Sequence, residues 1–134
     1  MANGTKFSTG NHPVEMLVPM LHLECAGFEV DICTPTGRPV RIEMWALPEK
    51  DEAVTSILSK YRSAFDQPLV LADIVESSLT DDSPYSAVFI PGGHGAMLGL
   101  PESRDVQKLI RWVIESDRFM LTICHGPAAL LAEG

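Results

Sequence analysis

Residues 119–129 read FMLTICHGPAA, an apolar strand that leads through Cys124 into the small residues typical of a helix start. A strand-to-helix turn of this kind lifts a side chain clear of the sheet. It also directs the following backbone N–H groups, and the positive end of the helix, at that side chain. Both effects stabilise the thiolate, which is the nucleophilic form of cysteine. The stretch therefore predicts either a nucleophilic Cys124 or a small buried residue at the end of a core strand.

A second apolar strand ends in an unusual turn, because residues 87–96 read AVFIPGGHGA. In an open parallel sheet, ligands bind in the crevice outside the carboxyl ends of the strands, so the two turns are expected to meet there. Gly92 and Gly93 permit a backbone conformation in which an N–H faces this crevice and stabilises an oxyanion opposite Cys124. No Gly-Lys-Ser/Thr follows the glycines, which argues against a phosphate-binding loop.

Apolar periodicity and turn residues predict alternating helices and strands. The predicted helices span residues 12–26, 52–65 and 103–116, with a short one within 69–78, and the predicted strands span residues 28–33, 40–44, 86–91 and 119–123. This alternation indicates an α/β fold, a parallel sheet sandwiched by helices on both faces. We expect residues 1–134 to form a single, partial domain.

Composition narrows the classes of function. The chain has 134 residues, 46% of them hydrophobic, and a net charge of −8 from 10 basic and 18 acidic residues. An acidic chain without a basic patch is not expected to bind nucleic acid or an anionic membrane. The sequence carries neither a signal-peptide core nor an apolar run long enough to span a membrane. The three cysteines are an odd number, which suits a reducing compartment, so we predict a cytoplasmic protein.

Three segments together resemble the PfpI-type superfamily. They are IPGGHGA at 90–96, GLPES at 99–103 and ICHGPAA at 123–129. FSTGNHPVE at 7–15 and WALP at 45–48 are similar to its HchA-type branch, heat-shock chaperones also described as glyoxalase III and as protein or nucleotide deglycase. The resemblance implies a flavodoxin-like, class I glutamine amidotransferase-like fold.

The resemblance also implies roles for particular residues. Cys124 would be the nucleophile, His125 its catalytic neighbour, and Glu15 a carboxyl group that hydrogen-bonds the thiolate and moves a proton. Gly93 and the N–H of His125 would be oxyanion donors, and His94 would line the pocket. Without the resemblance, Glu15 is simply an acidic residue in the first turn of a helix, where the helix dipole favours it.

The resemblance further implies a metal site of two histidines and one glutamate. The matching positions here are Glu24, Glu29 and Tyr61. Because only the middle ligand is kept, we expect no metal, and we expect Glu24 and Glu29 to be solvated. No other cofactor is predicted.

Family members place an apolar strand before the TGNHP loop and further elements after the cysteine helix. Neither is found in this sequence. We therefore expect the fold to be incomplete at both ends, with its central strand and the acidic partner of the catalytic histidine lying outside residues 1–134.

The favoured function is a cofactor-independent thiol enzyme, with 2-oxoaldehydes such as methylglyoxal, or glycated proteins and nucleotides, as substrates. An alternative is a holding chaperone that binds unfolded clients through apolar surface such as residues 97–100, a surface that a homodimer would cover. A PfpI-like cysteine peptidase or amidotransferase shares the cysteine turn and is the third possibility.

Overall fold

The structure, a computed structural model, describes residues 9–133, in which helices and short strands alternate. The α-helices are α1 Pro13–Cys25, α2 Glu52–Lys60, α3 Arg62–Asp66, α4 Leu71–Ser77 and α5 Arg104–Glu115. The strands are β1 Cys33–Thr34, β2 Leu69–Val70, β3 Ala87–Ile90 and β4 Phe119–Thr122. Within the described residues, three 3₁₀ helices span Met44–Ala46, His94–Met97 and Gly126–Glu133.

All strand pairs are parallel, as the alternation of elements predicts. Strand β3 pairs with β4 from Ala87↔Phe119 to Ile90↔Thr122, and β1 pairs with β2 at two positions. The described residues form two separate two-stranded sheets, where the sequence indicated one continuous sheet. The carboxyl ends of β3 and β4 nevertheless lie side by side, so the turns that follow them share one edge.

Helix α5 covers the β3–β4 half of the fold. Its apolar residues recur with helical spacing, and Ser103 caps its first turn by accepting a hydrogen bond from the Val106 N–H at 3.3 Å. The residues that the helix buries are Val106, Leu109, Ile110 and Val113. The inward face predicted from the sequence is confirmed. Its residues Val106, Leu109 and Ile110 pack into one apolar cluster, whose other buried members are Leu71, Ile90 and Ala129.

Helix α1 anchors the other half. Pro13 occupies its first turn, where a missing N–H costs nothing, and the chain leaves the helix through Gly27 in the left-handed region at φ +88°. Leu17 and Met20 are almost completely buried against α2 and α3. Burying each of these side chains is worth about 1.5–3 kcal/mol, so this packing fixes where the start of α1 lies.

The loop before α1 joins the two halves. Asn11 N–H donates to the Arg41 carbonyl at 2.7 Å, and Glu43 N–H donates to the Asn11 carbonyl at 2.9 Å. On its other side, His12 N–H donates to the Gly92 carbonyl at 3.2 Å. The loop therefore holds the segment around Glu43 beside the glycine turn that follows β3.

Three predicted elements are wrong in extent. The strand expected at 28–33 forms only at Cys33–Thr34, because β2 offers it two paired residues, and Phe28 is exposed. The strand expected at 40–44 is reduced to a single bridge at Ile42, after which the backbone turns into a 3₁₀ segment. The helix expected at 52–65 is interrupted at Tyr61, where the backbone has φ −91° and ψ 7°.

None of the helices between residues 9 and 133 combines the length and apolarity that crossing a membrane requires.

Candidate active site

Cys124 lies in the turn after β4, as the sequence predicts. It is exposed and has a φ of +54°, a left-handed conformation that non-glycine residues adopt rarely. The turn closes with a hydrogen bond from the Gly126 N–H to the Ile123 carbonyl at 2.8 Å, and the 3₁₀ segment begins at Gly126. Strained backbone of this kind concentrates at functional sites, where the surrounding packing holds it in place. The turn thus presents the sulfur to solvent in a fixed direction.

His125 is the nearest titratable side chain to the sulfur. Its Nδ1 lies 3.8 Å from Cys124 Sγ, within the range of a sulfur hydrogen bond, and its side chain is half-buried. An imidazole at this distance can exchange a proton with a thiol, which is the arrangement needed to activate a cysteine. The structure therefore brings together the first two residues predicted for the site.

Glu15 approaches the same place from the first turn of α1. Its Oε2 atom is buried and, among residues 9–133, has no hydrogen-bond partner. A methyl group built on Gly92 would overlap this oxygen and would lie 2.7 Å from Cys124 Cβ. Glu15 and Cys124 therefore border the same small space, which exists only because residue 92 is glycine. The unpartnered oxygen of Glu15 is directed into it.

Gly93 has a different role from Gly92. Its φ of +99° suits glycine, and a Cβ at this position would overlap the Gly10 carbonyl oxygen and lie 2.5 Å from the His12 nitrogen. Gly93 therefore lets the turn pack against the loop before α1, while Gly92 faces the cysteine. That the Gly93 N–H donates to an oxyanion stays a prediction.

His94 lies at the rim of the site. Its ring centre is 5.3 Å from that of His125, and about half of its side chain is exposed. This position agrees with a pocket-lining residue. The neighbouring residues Met97 and Leu98 are 52% and 67% exposed, so an apolar surface flanks the site on this side.

Sequence reasoning missed Glu43, which the structure places under His94. The carboxylate is buried, and its Oε1 accepts hydrogen bonds from the Thr9 hydroxyl at 3.2 Å, the His94 N–H at 3.1 Å and His94 Nδ1 at 3.0 Å. The available signal was a single acidic residue between the apolar residues Ile42 and Met44. An isolated carboxylate in an apolar run is costly to bury unless it is paired.

The positions that match the metal site of the resembling proteins do not form one here. Lys60 Nζ lies 2.5 Å and the Tyr61 hydroxyl 2.6 Å from Glu24 Oε1. These two hydrogen bonds lower the pKa of Glu24, and burial followed by the bond to Glu24 raises the pKa of Tyr61 to about 12. Glu29 is exposed, as expected, but Glu24 is paired and largely covered, so the expectation that it is solvated is wrong. A carboxylate already held by an ammonium and a hydroxyl does not fit a metal-ligand set.

The sequence and the fold are similar to those of known proteins. A profile of the DJ-1/PfpI family matches residues 7–134. The Protein/nucleic acid deglycase HchA of Pseudomonas aeruginosa (strain LESB58) is 57% identical over 132 residues, which cover 98% of this chain and 45% of that protein. The protein of the same name from Staphylococcus aureus (strain JH9) is 54% identical over 134 residues, covering 100% of this chain and 46% of that protein.

Among solved structures, glyoxalase III from Candida albicans superposes on 90% of this chain and 50% of that chain, with a TM-score of 0.71 at 24% identity. That similarity supports the parallel α/β fold. The chain spans about half the length of the curated relatives it matches.

Proposed function

The chain belongs to the DJ-1/PfpI family, and we propose that its cysteine site converts 2-oxoaldehydes such as methylglyoxal into 2-hydroxy acids and removes early glycation adducts. One observation carries this proposal. The sulfur of the exposed Cys124 lies beside His125, and a Glu15 oxygen that has no hydrogen-bond partner within residues 9–133 borders the same space. The names of the related proteins, deglycase and glyoxalase III, support the same chemistry.

The reaction begins with covalent capture of the aldehyde. The Cys124 thiolate attacks the aldehyde carbon and forms a C–S bond, and the carbonyl oxygen takes up a proton to give a hemithioacetal. The backbone N–H groups of Gly93 and His125 stabilise the oxyanion as it forms. His125, within 3.8 Å of the sulfur, exchanges the thiol proton before this step.

A proton then moves between two carbons. Glu15 removes the hydrogen from the hemithioacetal carbon, and the neighbouring ketone carbon takes up a proton. The hemithioacetal hydroxyl loses its proton as the thioester carbonyl forms, and the former ketone oxygen gains a proton, which gives a 2-hydroxy thioester on Cys124. One carbon is oxidised while its neighbour is reduced, so the step needs no external oxidant or cofactor. Water finally replaces sulfur at the thioester carbon, and the C–S bond breaks to release the 2-hydroxy acid and regenerate the thiolate.

Early glycation adducts fit the same sequence of steps. A 2-oxoaldehyde bound to an amine as a carbinolamine can exchange the amine for the Cys124 sulfur, which frees the amine and gives the same hemithioacetal. Glycated proteins and nucleotides are therefore proposed substrates, with the hemithioacetal on Cys124 as the intermediate that both routes share.

Lactate formation from methylglyoxal without glutathione tests the proposal. The protein should produce lactate, Cys124→Ser should abolish production, and Cys25→Ser should not change it, because Cys25 is an exposed cysteine at the far end of α1. Production that survives in Cys124→Ser, or none in the unaltered protein, would contradict the enzyme proposal.

A holding chaperone is a second candidate, favoured by the exposed apolar residues Met97 and Leu98. This activity needs no nucleophile. Suppression of client aggregation should therefore persist in Cys124→Ser and decrease when both exposed residues are replaced by serine. If suppression is unchanged in the double variant, this surface does not bind clients.

We further propose a homodimer, which would cover this surface as the alternative to client binding there, and a cytoplasmic location. The exposure of Met97 and Leu98 supports the first, and the odd number of cysteines supports the second.

A further inference from the structure

Glu43 is a buried carboxylate that no step of the proposed reaction uses. It is 2% exposed and lies just after the bridge between Asn11 and Ile42. Its Oε1 atom receives the Thr9 hydroxyl, the His94 N–H and the His94 ring at 3.0–3.2 Å. Three hydrogen bonds on one oxygen join the loop before α1 to the turn after β3. Burying a carboxylate costs desolvation free energy, which raises the question of what Glu43 does in this position.

The bond to the ring determines which nitrogen of His94 carries the proton. An ionised carboxylate has only acceptor sites, so the ring nitrogen that faces it, Nδ1, must be the donor. Burial alone would raise the pKa of Glu43, but the hydrogen bonds from the His94 side chain and backbone, Gly10 and Thr9 lower it below its usual range. Glu43 is therefore ionised at neutral pH. In a neutral ring, the lone pair is then on Nε2.

The ring held in this way lies beside His125, the neighbour of the reacting sulfur. Its centre is 5.3 Å from that of His125, whose Nδ1 is 3.8 Å from Cys124 Sγ. About half of the His94 side chain is open to solvent, although the carboxylate beneath it is buried. An imidazole whose side chain is half open to solvent and whose Nδ1 is held by a buried carboxylate is an arrangement suited to a general base for water.

We propose that Glu43 is a positioning residue that holds His94 as the Nδ1–H tautomer, and that His94 Nε2 accepts the proton of the water that releases the product from Cys124. This inference rests on the proposed function. The water oxygen bonds to the thioester carbon as one of its protons passes to Nε2, and collapse of the adduct then breaks the C–S bond. The 2-hydroxy acid is released, the Cys124 thiolate is regenerated, and the His94 imidazolium returns its proton to solvent.

The tautomer is measured first, in the unaltered protein labelled with ¹⁵N in its histidine rings. Long-range ¹H–¹⁵N spectra distinguish a protonated from an unprotonated ring nitrogen, and His94→Gln identifies the His94 signals by their loss. We expect protonated Nδ1 and unprotonated Nε2 at neutral pH. In Glu43→Gln the side chain at position 43 is uncharged, so the His94 ring should become a mixture of both tautomers. Protonated Nε2 in the unaltered protein would overturn the positioning role, and this readout does not depend on turnover.

The base role is tested by stopping methylglyoxal turnover with acid and measuring the mass of the protein. Loss of a base that acts in the last step should reduce lactate formation about 100-fold in His94→Gln. In Glu43→Gln, where a share of the His94 rings keeps the active tautomer, lactate formation should fall by a smaller factor. The thioester should accumulate on Cys124 in both variants, and the rate at which iodoacetamide alkylates Cys124 should be unchanged. The matched control Glu49→Gln makes the same chemical change at an exposed residue and should behave like the unaltered protein.

The outcomes separate the two proposals. If turnover falls without accumulation of the thioester, the base role is wrong and the proposed function stands. If the unaltered protein forms neither lactate nor adduct, both the proposed function and the base role fail, while the tautomer still decides whether Glu43 positions His94. If Glu43→Gln does not fold, His94→Gln alone must show the accumulation, and its absence there overturns the base role.

Discussion

Replacing Gly92 with alanine adds one methyl group to the space that Cys124 and Glu15 share. The new carbon would overlap Glu15 Oε2 and would lie 2.7 Å from Cys124 Cβ and 3.0 Å from the Ile123 carbonyl oxygen. The carboxyl group can rotate away, but Cys124 and Ile123 belong to the backbone of a strained turn. Because two carbons pack at about 3.5–4.0 Å, the cysteine must shift by about 1 Å.

A shift of this size is expected to reduce turnover much more than it reduces stability. Misplacing a reacting group by about 1 Å can cost about 100-fold in rate, so lactate formation should fall by about that factor. Overpacking by one methyl group should lower the free energy of unfolding by about 1–3 kcal/mol. Rotation of Glu15 also moves the proposed proton carrier away from the substrate, which adds to the loss.

Gly27→Ala is the matched control. Gly27 has a φ of +88° with nothing within 4 Å of a new Cβ, so alanine there introduces backbone strain and no collision. Left-handed backbone costs a non-glycine residue about 1–2 kcal/mol, so the two variants should lose similar stability in urea unfolding. Only Gly92→Ala should lose turnover. Near-normal turnover in a folded Gly92→Ala protein would refute the placement of Glu15 and Cys124 around one space.

Three further predictions follow from individual side chains. Glu15→Gln keeps the shape of the carboxyl group but cannot carry a proton between carbons. Lactate formation should therefore fall about 100-fold or more, while iodoacetamide should still alkylate Cys124. Equal loss of turnover and alkylation would contradict a proton-transfer role. Burial is the largest cause that raises the pKa of Tyr61 and Tyr85 to about 12, followed by the hydrogen bonds to Glu24 and Asp31 respectively. Tyrosinate absorbance should therefore rise near pH 12 in the folded protein. A rise near pH 10 would show that these bonds do not form. The pKa of Glu43 in the folded protein is lowered from 4.5, so its ionised form stabilises the fold. This contribution should be complete above pH 4.5 and disappear as the pH falls through the folded-state pKa. In urea unfolding at a series of pH values, Glu43→Gln should therefore lose less stability over that range than the unaltered protein.

The two turns of the candidate site were predictable because each depends on a local pattern. An apolar strand followed by Cys124 or by Gly92–Gly93 identifies the end of a core strand, and parallel pairing of β3 with β4 then places both ends at one edge. Helix α5 was predicted equally well, since its buried residues recur at helical spacing and Ser103 caps it. Periodicity and capping are properties of short segments, which a sequence displays directly.

Features that depend on distant contacts were not predictable in the same way. Glu43 is buried only because the loop from Thr9 to Asn11 and the turn at His94 both donate hydrogen bonds to it, across 34 and 51 residues of sequence. The pairing of Glu24 with Lys60 and Tyr61 likewise joins two helices that are far apart in the chain. The length of β1 was overestimated because a strand extends only as far as its partner, which is set by β2 and not by apolar residues alone.

The most direct measurement of the central claim is the site of covalent capture. Cys25, Cys33 and Cys124 are all exposed residues, but partial burial of its thiol, followed by the charge of Asp31, raises the pKa of Cys33, so Cys25 is the closer comparison for Cys124. Protein stopped with acid during turnover should carry a single added methylglyoxal, and peptide mass spectrometry should locate it on Cys124, with none on the other two cysteines. Addition to all three cysteines to a similar extent, or to Cys25 or Cys33 in preference, would contradict the account.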